Sequence, residues 1–117
     1  MGSFTFQKEE RIVKRADFIN LNLHGKRYYT KHFLVILKKN EGDITRLGIN
    51  VSKRVGGSVK RNRIKRVIRE FFRHNKKQIP KGYDIMIAAL KQGDKYPFLK
   101  VQEELGYLIL KNDDLFS

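Results

Sequence analysis

The sequence predicts a small sandwich of the α+β or α/β class, in which helices pack on at least one face of a β-sheet. The first observation behind this prediction is the order of segments along the chain: helix, strand, strand, helix, strand, helix. The second is size, because 117 residues with 40% hydrophobic side chains suffice for one core and fall short of two. We therefore expect a single domain over residues 1–117, with loose ends at 1–10 and 112–117.

The first half of the chain predicts one helix followed by a hairpin. Residues 16–23 suit a short helix, and Gly25 follows at a position where glycine commonly ends helices. Residues 33–37 and 47–51 are apolar runs of strand length, separated by the turn-forming residues 40–43. We expect these two strands to pair as an antiparallel hairpin.

The second half predicts a long helix, a buried strand and a final helix. Ser58 follows two glycines and is a suitable N-cap for the long helix. Residues 79–82 have proline second and glycine fourth, as in a tight turn, and the nearly apolar run 83–90 predicts a central strand. Pro97 can open the last helix, whose apolar side chains recur at helical spacing: Phe98, Val101, Leu105, Leu108 and Ile109.

The long helix has an apolar side and a basic side when about 100° is allowed per residue. The apolar side consists of Ile64, Val67, Ile68, Phe71 and Phe72. The opposite side consists of Arg61, Lys65, Arg66, Arg69 and Arg73, with Asn62 near the middle of the arc. The sequence thus predicts a helix with one face in the core and one cationic face.

This basic face breaks the local rules that an ordinary solvated face obeys. Such a face mixes charges of both signs and gains pairs four residues apart, but here Glu70 is the only acid. Lys60, Arg61 and Arg63 occupy the first turn, where the helix dipole favours acids. Arg61 also stands where a capping box after Ser58 would have Glu or Gln. Violations of this kind are expected at functional sites.

The overall charge indicates a polyanionic partner. The net charge is +14, and residues 53–77 contain 11 of the 26 basic residues beside one acid. A membrane-spanning role is not indicated, because no apolar run approaches the roughly 20 residues required. Arginine matches phosphate oxygens well, which favours nucleic acid. Strand-like segments flank the helix on both sides, so a structured RNA fits better than DNA read by a helix-turn-helix.

The sequence predicts no catalytic or metal-binding centre in the protein itself. There is no cysteine, and His24, His32 and His74 lack the spacing of zinc ligands, so each is expected on the surface or in a loop. Residues 56–60 do not have the glycine and lysine spacing of a phosphate-binding loop. The absence of cysteine and of a secretory signal fits a cytoplasmic protein.

Several motifs together resemble one known family, the protein subunit of bacterial ribonuclease P. The most specific is RNRIKR at 61–66 followed by Arg69, and the others are LGINVSK at 47–53, the glycines at 56 and 57, and IPKGYDI at 79–85. The resemblance extends from Arg11 through the last helix. It implies a ribosomal-protein-like fold with a mixed sheet of about four strands, a central basic helix in a left-handed crossover, and flanking N- and C-terminal helices.

The resemblance also implies a function. In that family the RNA subunit is the catalyst and uses magnesium ions to remove the 5′ leader from precursor tRNA, while one monomeric protein binds each catalytic RNA. The expected contacts to the catalytic RNA are Lys53, Arg54, Lys60, Arg61, Asn62, Arg63, Lys65, Arg66, Arg69 and Arg73. No cofactor is expected on the protein's own side chains.

A cleft between the sheet and the N-terminal helix is implied as the site for the leader. Phe18 would be an aromatic platform there, with Lys14 and Arg15 as neighbours of phosphates. Family members often have further aromatic residues where this chain has Asn22 and Ile36. The cleft is therefore expected to be less aromatic than in those relatives.

Three hypotheses of function make different predictions. An accessory subunit of a ribozyme binds one structured RNA and speeds its cleavage reaction. A ribosomal or RNA-chaperone-like protein binds RNA without any gain in leader cleavage. A protein-only nuclease cuts precursor tRNA with no ribozyme present.

Overall fold

A computed structural model describes residues 8–90 and 101–110 of the chain and contains three α-helices and a four-stranded sheet in that part. The helices are α1 (Arg15–His24), α2 (Ser58–Asn75) and α3 (Val101–Ile109), and the strands are β1 (Lys26–Tyr29), β2 (Phe33–Lys39), β3 (Arg46–Asn50) and β4 (Tyr83–Ala89). The predicted α+β class and the mixed sheet of about four strands are confirmed. None of the helices in this part is long and apolar enough to cross a membrane.

The sheet has the strand order β1-β2-β4-β3, so the predicted hairpin of β2 with β3 is wrong. β4 lies between them, antiparallel to β2 and parallel to β3; Ile87 lies beside Val35 on one side and Ile49 on the other. The reason is that β4 carries buried side chains on both faces, including Ile85 and Met86, and such a strand is most stable in the centre. A turn-rich loop does not by itself force its flanking strands to pair.

β1 is the strand that sequence analysis missed. Its sequence, KRYY, has two cations and no alternation strong enough to predict a strand. It pairs with β2 through four residues and forms one edge of the sheet. The connection β3-α2-β4 is the crossover that the resemblance implies, and its left-handed sense stays a prediction.

Two hydrophobic layers lie on opposite faces of the sheet. The larger layer joins alternate residues of the strands, among them Val35 and Ile87, to α2 and α3, and Val101, Leu105, Leu108 and Ile109 are buried in it as predicted. Pro97 and Phe98 lie outside the described residues. The smaller layer packs α1 on the other face and consists of Ile12, Leu21, Ile36 and Met86, with Phe18 and Leu34 beside them.

The end of α1 is where the sequence predicts it, whereas the N-cap of α2 is one residue earlier than predicted. Gly25 ends α1 as predicted, and its amide donates to the Leu21 carbonyl at 2.8 Å. The N-cap of α2 is Gly57 and not the predicted Ser58, because Gly57 has the extended backbone of a cap and Ser58 is already helical. The Arg61 amide donates to the Gly57 carbonyl at 2.9 Å, and α2 has no side-chain cap.

The segment 79–82 brings the start of β4 against the loop that follows β2. Gly82 has φ +85°. The backbone amide of Asn40 donates a hydrogen bond to the Gly82 carbonyl at 2.7 Å. An added Cβ on Gly82 would lie 2.9 Å from the Gly42 carbonyl oxygen, so both conformation and space favour glycine there. This contact helps to hold β4 in its central position.

Glu104 fastens α3 to the turn between β1 and β2. Its carboxylate accepts hydrogen bonds from the Thr30 hydroxyl and from the His32 amide at 2.9 Å, and one oxygen lies 2.8 Å from His32 Nδ1. His32, expected on the surface or in a loop, is in that turn but is buried. Burial alone would raise the pKa of Glu104, but the hydrogen bonds from Thr30 and His32 outweigh it and lower the pKa.

Replacing Glu104 with Gln should therefore change the pH dependence of folding. Above the ordinary glutamate pKa of 4.5 the native protein should be more stable than the variant by about 1–2 kcal/mol, because only the folded state holds the carboxylate in these hydrogen bonds. As the pH falls through the lowered folded pKa, the carboxyl is protonated and this advantage is lost. Urea unfolding at about pH 7 and about pH 3 measures the difference. An equal difference at both values would contradict the assignment.

Candidate RNA-binding surface

Helix α2 has the two faces that the sequence predicts. Ile64, Ile68, Phe71 and Phe72 are buried against the sheet and α3, and Val67 is half-buried beside them. Asn62, Arg63, Arg66 and Arg69 are exposed, and Lys60, Arg61, Lys65 and Arg73 are half-buried. We call these eight residues on the outer side the basic face. Burial of the apolar face therefore fixes the direction in which the cations project.

The turn before α2 extends the basic face toward β3. Lys53 and Arg54 are exposed in this turn, and Val55 anchors it because its side chain is buried and its amide donates to the Ser52 carbonyl at 3.1 Å. All ten cations and amides that the sequence assigns to the catalytic RNA thus lie on one helix and the turn that precedes it.

The basic face is weakly neutralised by the protein. Within the described ranges, Lys65, Arg66 and Arg69 have no carboxylate partner. Arg61 is unusual because its Nε is buried and has no hydrogen-bond partner among the described residues. An unsatisfied buried donor costs about 1–3 kcal/mol, so the needs of folding do not explain this side chain.

A cleft of about 420 Å³ lies between the segment before α1, α1 itself, α2 and the edge strand β3. Its lining residues are Arg11, Ile12, Val13, Phe18, Leu47, Ile49, Lys65 and Arg69. Lys65 and Arg69 therefore belong both to the basic face and to this cleft. An aromatic ring and several cations line one opening, which suits a flexible anionic chain with flat bases.

The segment before α1 forms one wall of the cleft. Arg11 makes a parallel β-bridge with Leu47, and the Ile12 amide donates to the Leu47 carbonyl at 3.0 Å. Immediately before it, Lys8–Glu10 form a short 3-10 helix, and Glu10 pairs with Lys76 of the α2 C-cap at 2.9 Å. Residues 8–10 were expected to be loose, but this ion pair ties them to α2. The rest of both predicted loose ends lies outside the described residues.

An ion-pair network fixes α1 against the sheet. Arg46 of β3 donates to both carboxylate oxygens of Asp84 on β4, at 2.9 and 2.7 Å, and lies 3.4 Å from Asp17 of α1. The hydrogen bond with Asp84 is the main reason that the pKa of Arg46 is raised. Burial would raise the pKa of Asp84, but hydrogen bonds from Arg46 and Asn40 lower it. The Arg46 and Asp84 side chains are therefore charged at neutral pH.

Phe18 reaches the cleft because β3 has glycine beneath its ring. A Cβ added to Gly48 would lie 2.6 Å from Phe18 Cε1 and 2.9 Å from Cζ, too close for the present packing. Phe18 is half-buried and rests on the smaller hydrophobic layer while it lines the cleft. The ring thus has a structural contact and an accessible surface at once.

The other residues assigned to the cleft lie in different surroundings. Lys14 and Arg15 are exposed where α1 begins and are not among the lining side chains. Ile36 is completely buried under α1, and Asn22 is exposed and accepts hydrogen bonds from Arg27. The lining residues 11–13 were not predicted from the sequence; the available signal was the apolar pair Ile12 and Val13 between the basic residues Arg11 and Lys14.

The described part of the chain contains no group of three or more His, Cys, Asp and Glu side chains able to hold a metal ion. Four of the described carboxylates lie in ion pairs: Glu10 with Lys76, Asp17 and Asp84 with Arg46, and Glu104 with His32.

A mixed sheet that displays a cationic helix beside a basic, partly aromatic cleft defines a small RNA-binding protein of the α+β class. Comparison with known proteins narrows this class. The family model described as Ribonuclease P matches residues 6–113. The ribonuclease P protein component of Desulforapulum autotrophicum is 46% identical over 111 residues, covering 95% of each chain. That of Syntrophus aciditrophicus is 45% identical over 111 residues, covering 95% of this chain and 93% of its own.

Solved structures agree with the family model. The RNase P protein of Staphylococcus aureus is 38% identical, with a TM-score of 0.82, and the match covers 92% of this chain and 98% of that one. The chain belongs to the ribonuclease P protein family, the accessory protein subunit of that ribonucleoprotein. Its role in RNA binding and tRNA processing follows from this membership.

Replacing Gly48 with Ala tests how Phe18 is held in the cleft. The added methyl group should displace the ring and destabilise the protein by about 1–2 kcal/mol. In a Phe18→Ala background the clash is absent, and Gly48→Ala should be neutral or stabilising because alanine suits a strand better than glycine. Urea unfolding of the four proteins of this cycle measures the coupling. Equal destabilisation in both backgrounds would show that the ring does not depend on Gly48.

Proposed function

We propose that this protein binds the catalytic RNA of ribonuclease P through its basic face and the 5′ leader of precursor tRNA through its cleft, and so promotes removal of the leader. The single observation that carries the proposal is that Lys65 and Arg69 belong to both surfaces. An RNA on the basic face and a strand in the cleft would therefore lie side by side.

The chemistry of the basic face supports contact with a folded RNA. Arginine donates in a planar fork that matches phosphate oxygens, and Asn62 can both donate and accept hydrogen bonds. The rigid helix fixes the spacing of these groups, which suits recognition of RNA by shape and backbone. The unsatisfied Nε of Arg61 and the cationic first turn are tolerable if a polyanion compensates them.

The chemistry of the cleft supports contact with a single strand. The Phe18 ring offers a face on which any base can stack, while Arg11, Lys65 and Arg69 can contact phosphates. Lys14 and Arg15 are exposed at the start of α1 and would attract the single-stranded leader electrostatically. Because stacking does not distinguish bases strongly, leaders of different sequence would be accepted.

Two physical effects would make such a protein useful to a ribozyme. Its cations would reduce repulsion between the phosphates of catalyst and substrate, and its cleft would bind a leader that the precursor has and the product lacks. Magnesium ions would be held by RNA oxygens, which are ligands that this metal prefers. One protein would bind each catalytic RNA, in the cytoplasm.

Substitution of Arg61 and Asn62 by Ala in the same protein tests the basic face. We expect the native protein to stimulate correct 5′ cleavage of end-labelled precursor tRNA by a bacterial ribonuclease P RNA at low magnesium concentration. The double variant should bind that RNA about 10- to 100-fold more weakly and lose the stimulation at limiting protein. Lys39→Ala is the matched control, because it removes one exposed cation from the end of β2.

The outcomes of this assay separate the three hypotheses. Tight RNA binding by the native protein without stimulation of cleavage would support a ribosomal or chaperone-like role instead. Cleavage of the precursor with no catalytic RNA present would support a protein-only nuclease. Equal loss of activity in Lys39→Ala and the double variant would mean that only net charge matters.

The salt dependence of binding tests the cleft separately. Affinity of the holoenzyme for precursor tRNA should fall steeply with salt, with a log–log slope of about −0.7 for each phosphate neutralised on a single strand. The variant Arg11→Ala removes a cation that lines the cleft and lies outside the basic face, so it should flatten this slope by up to about 0.7. Mature tRNA lacks the leader, so its affinity should depend much less on the protein. Equal protein-dependent gains for precursor and mature tRNA would contradict leader binding.

A further inference from the structure

A row of four side chains crosses the sheet on the face that carries α1. Register pairs Tyr29 of β1 with Leu34 of β2, Leu34 with Ala88 of β4, and Ala88 with Asn50 of β3. Directly paired residues of neighbouring strands point to the same face. Leu34 packs beside the smaller hydrophobic layer, so this face is the one under α1. We call Tyr29, Leu34, Ala88 and Asn50 the cross-sheet row.

The cross-sheet row is open, whereas the adjacent row is covered. In the adjacent row Ile36 and Met86 are buried beneath α1, and Gly48 lies under the Phe18 ring. In the cross-sheet row Asn50 is exposed, Leu34 and Ala88 are half-buried, and Tyr29 is 65% exposed. The sheet thus offers a strip beside α1 that starts at β3 near Phe18 and ends at an accessible tyrosine on β1.

Basic residues flank Tyr29 in the sequence, and the Glu104 carboxylate contacts the adjacent Thr30 from the α3 side. Residues 25–31 contain Lys26, Arg27 and Lys31 and no acid. The Arg27 guanidinium is held on the α1 side of the sheet, because its Nη2 donates to the Asn22 carbonyl at 3.1 Å and to Asn22 Oδ1 at 3.2 Å. A flat, exposed ring on the same face as the Arg27 guanidinium matches a single-stranded nucleic acid better than it matches an apolar peptide.

We infer that Tyr29 is a second stacking platform for the precursor leader, and that it contacts nucleotides farther from the cut site than those at Phe18. The inference rests on the proposed function. β3 and β1 are three strand spacings apart, about 14 Å. Stacked bases advance about 3.4 Å each, so several nucleotides separate the two platforms. Phe18 is nearer the cut because its cleft is shared with α2, which carries the surface for the catalytic RNA.

This arrangement also gives Asn22 a role in a leader path. Where family members often have an aromatic residue, Asn22 here holds Arg27 in place on the same face as Tyr29. The buried Ile36 cannot stack with a base, but its strand neighbour β1 presents Tyr29 two residues beyond the position paired with Ile36.

The test measures binding of precursor tRNAs whose leaders are shortened one nucleotide at a time. Holoenzymes are assembled with the native protein, Tyr29→Ala, Tyr29→Phe or Tyr107→Ala. Tyr107 is the matched control, because it is 75% exposed but lies on α3, which packs on the opposite face of the sheet. Tyr29→Ala should weaken binding of long-leader precursors by about 5- to 100-fold, and Tyr29→Phe should retain it.

The effect must depend on leader length. Tyr29→Ala should bind short-leader precursors and mature tRNA as the native protein does, and its defect should appear at a longer leader than the defect of Phe18→Ala. Native affinity for long leaders by Tyr29→Ala, or an equal loss for mature tRNA, would overturn the inference. If the native holoenzyme itself shows no gain in affinity with leader length, the proposed leader site fails as a whole. If the affinity of the native holoenzyme rises with leader length and that of the Tyr29→Ala holoenzyme rises equally, only the role of Tyr29 is contradicted.

Discussion

The central position of β4 is the constraint on which the rest of this structure depends. Its side chains are buried on both faces, with Ile85 and Ile87 in the larger layer and Met86 in the smaller one, so it requires a neighbouring strand on each side. Parallel pairing with β3 then requires a long crossover, and α2 supplies it. The apolar face of this crossover is buried against the sheet and α3, which leaves every cation of α2 on the outer side. The orientation of the basic face is therefore a consequence of strand order.

The same strand order gives the two faces of the sheet different coverings. The larger layer on the α2 and α3 side supplies most of the buried hydrophobic surface, while α1 covers only part of the other side. Arg46 and Asp84 lie on adjacent strands because β3 pairs with β4, and together with Asp17 they set the position of α1. That position decides where Phe18 stands and how wide the cleft is. With its main core on one side of the sheet, the protein keeps an open cleft on the other side.

Concentrating positive charge on one helix is unfavourable for folding and favourable for binding. The first turn of α2 has no acid and no side-chain cap, and Arg61 buries an unsatisfied Nε. The positions of four carboxylates show how the fold tolerates this concentration of charge. Asp17 and Asp84 help to fix α1, Glu10 fixes the N-terminal segment, and Glu104 fixes α3. These carboxylates do not neutralise the basic face. Lys65, Arg66 and Arg69 have no carboxylate partner in the described ranges, so they can form charge-assisted hydrogen bonds with phosphate.

Elements that depend on the pattern of neighbouring residues could be predicted from the sequence. The spacing of Ile64, Ile68, Phe71 and Phe72 defines both the helix and the direction of its cations, and the apolar run of β4 predicts a central strand. The RNRIKR motif, together with the order and spacing of the other motifs, indicated the family. Tertiary structure alone decided the pairing of β2 and β3 with β4, the existence of β1, and the meeting of Arg11, Phe18 and Lys65 in one cleft. Those features depend on contacts between residues far apart in the chain, and the burial that selects among them is a property of the assembled sheet, which no local pattern contains.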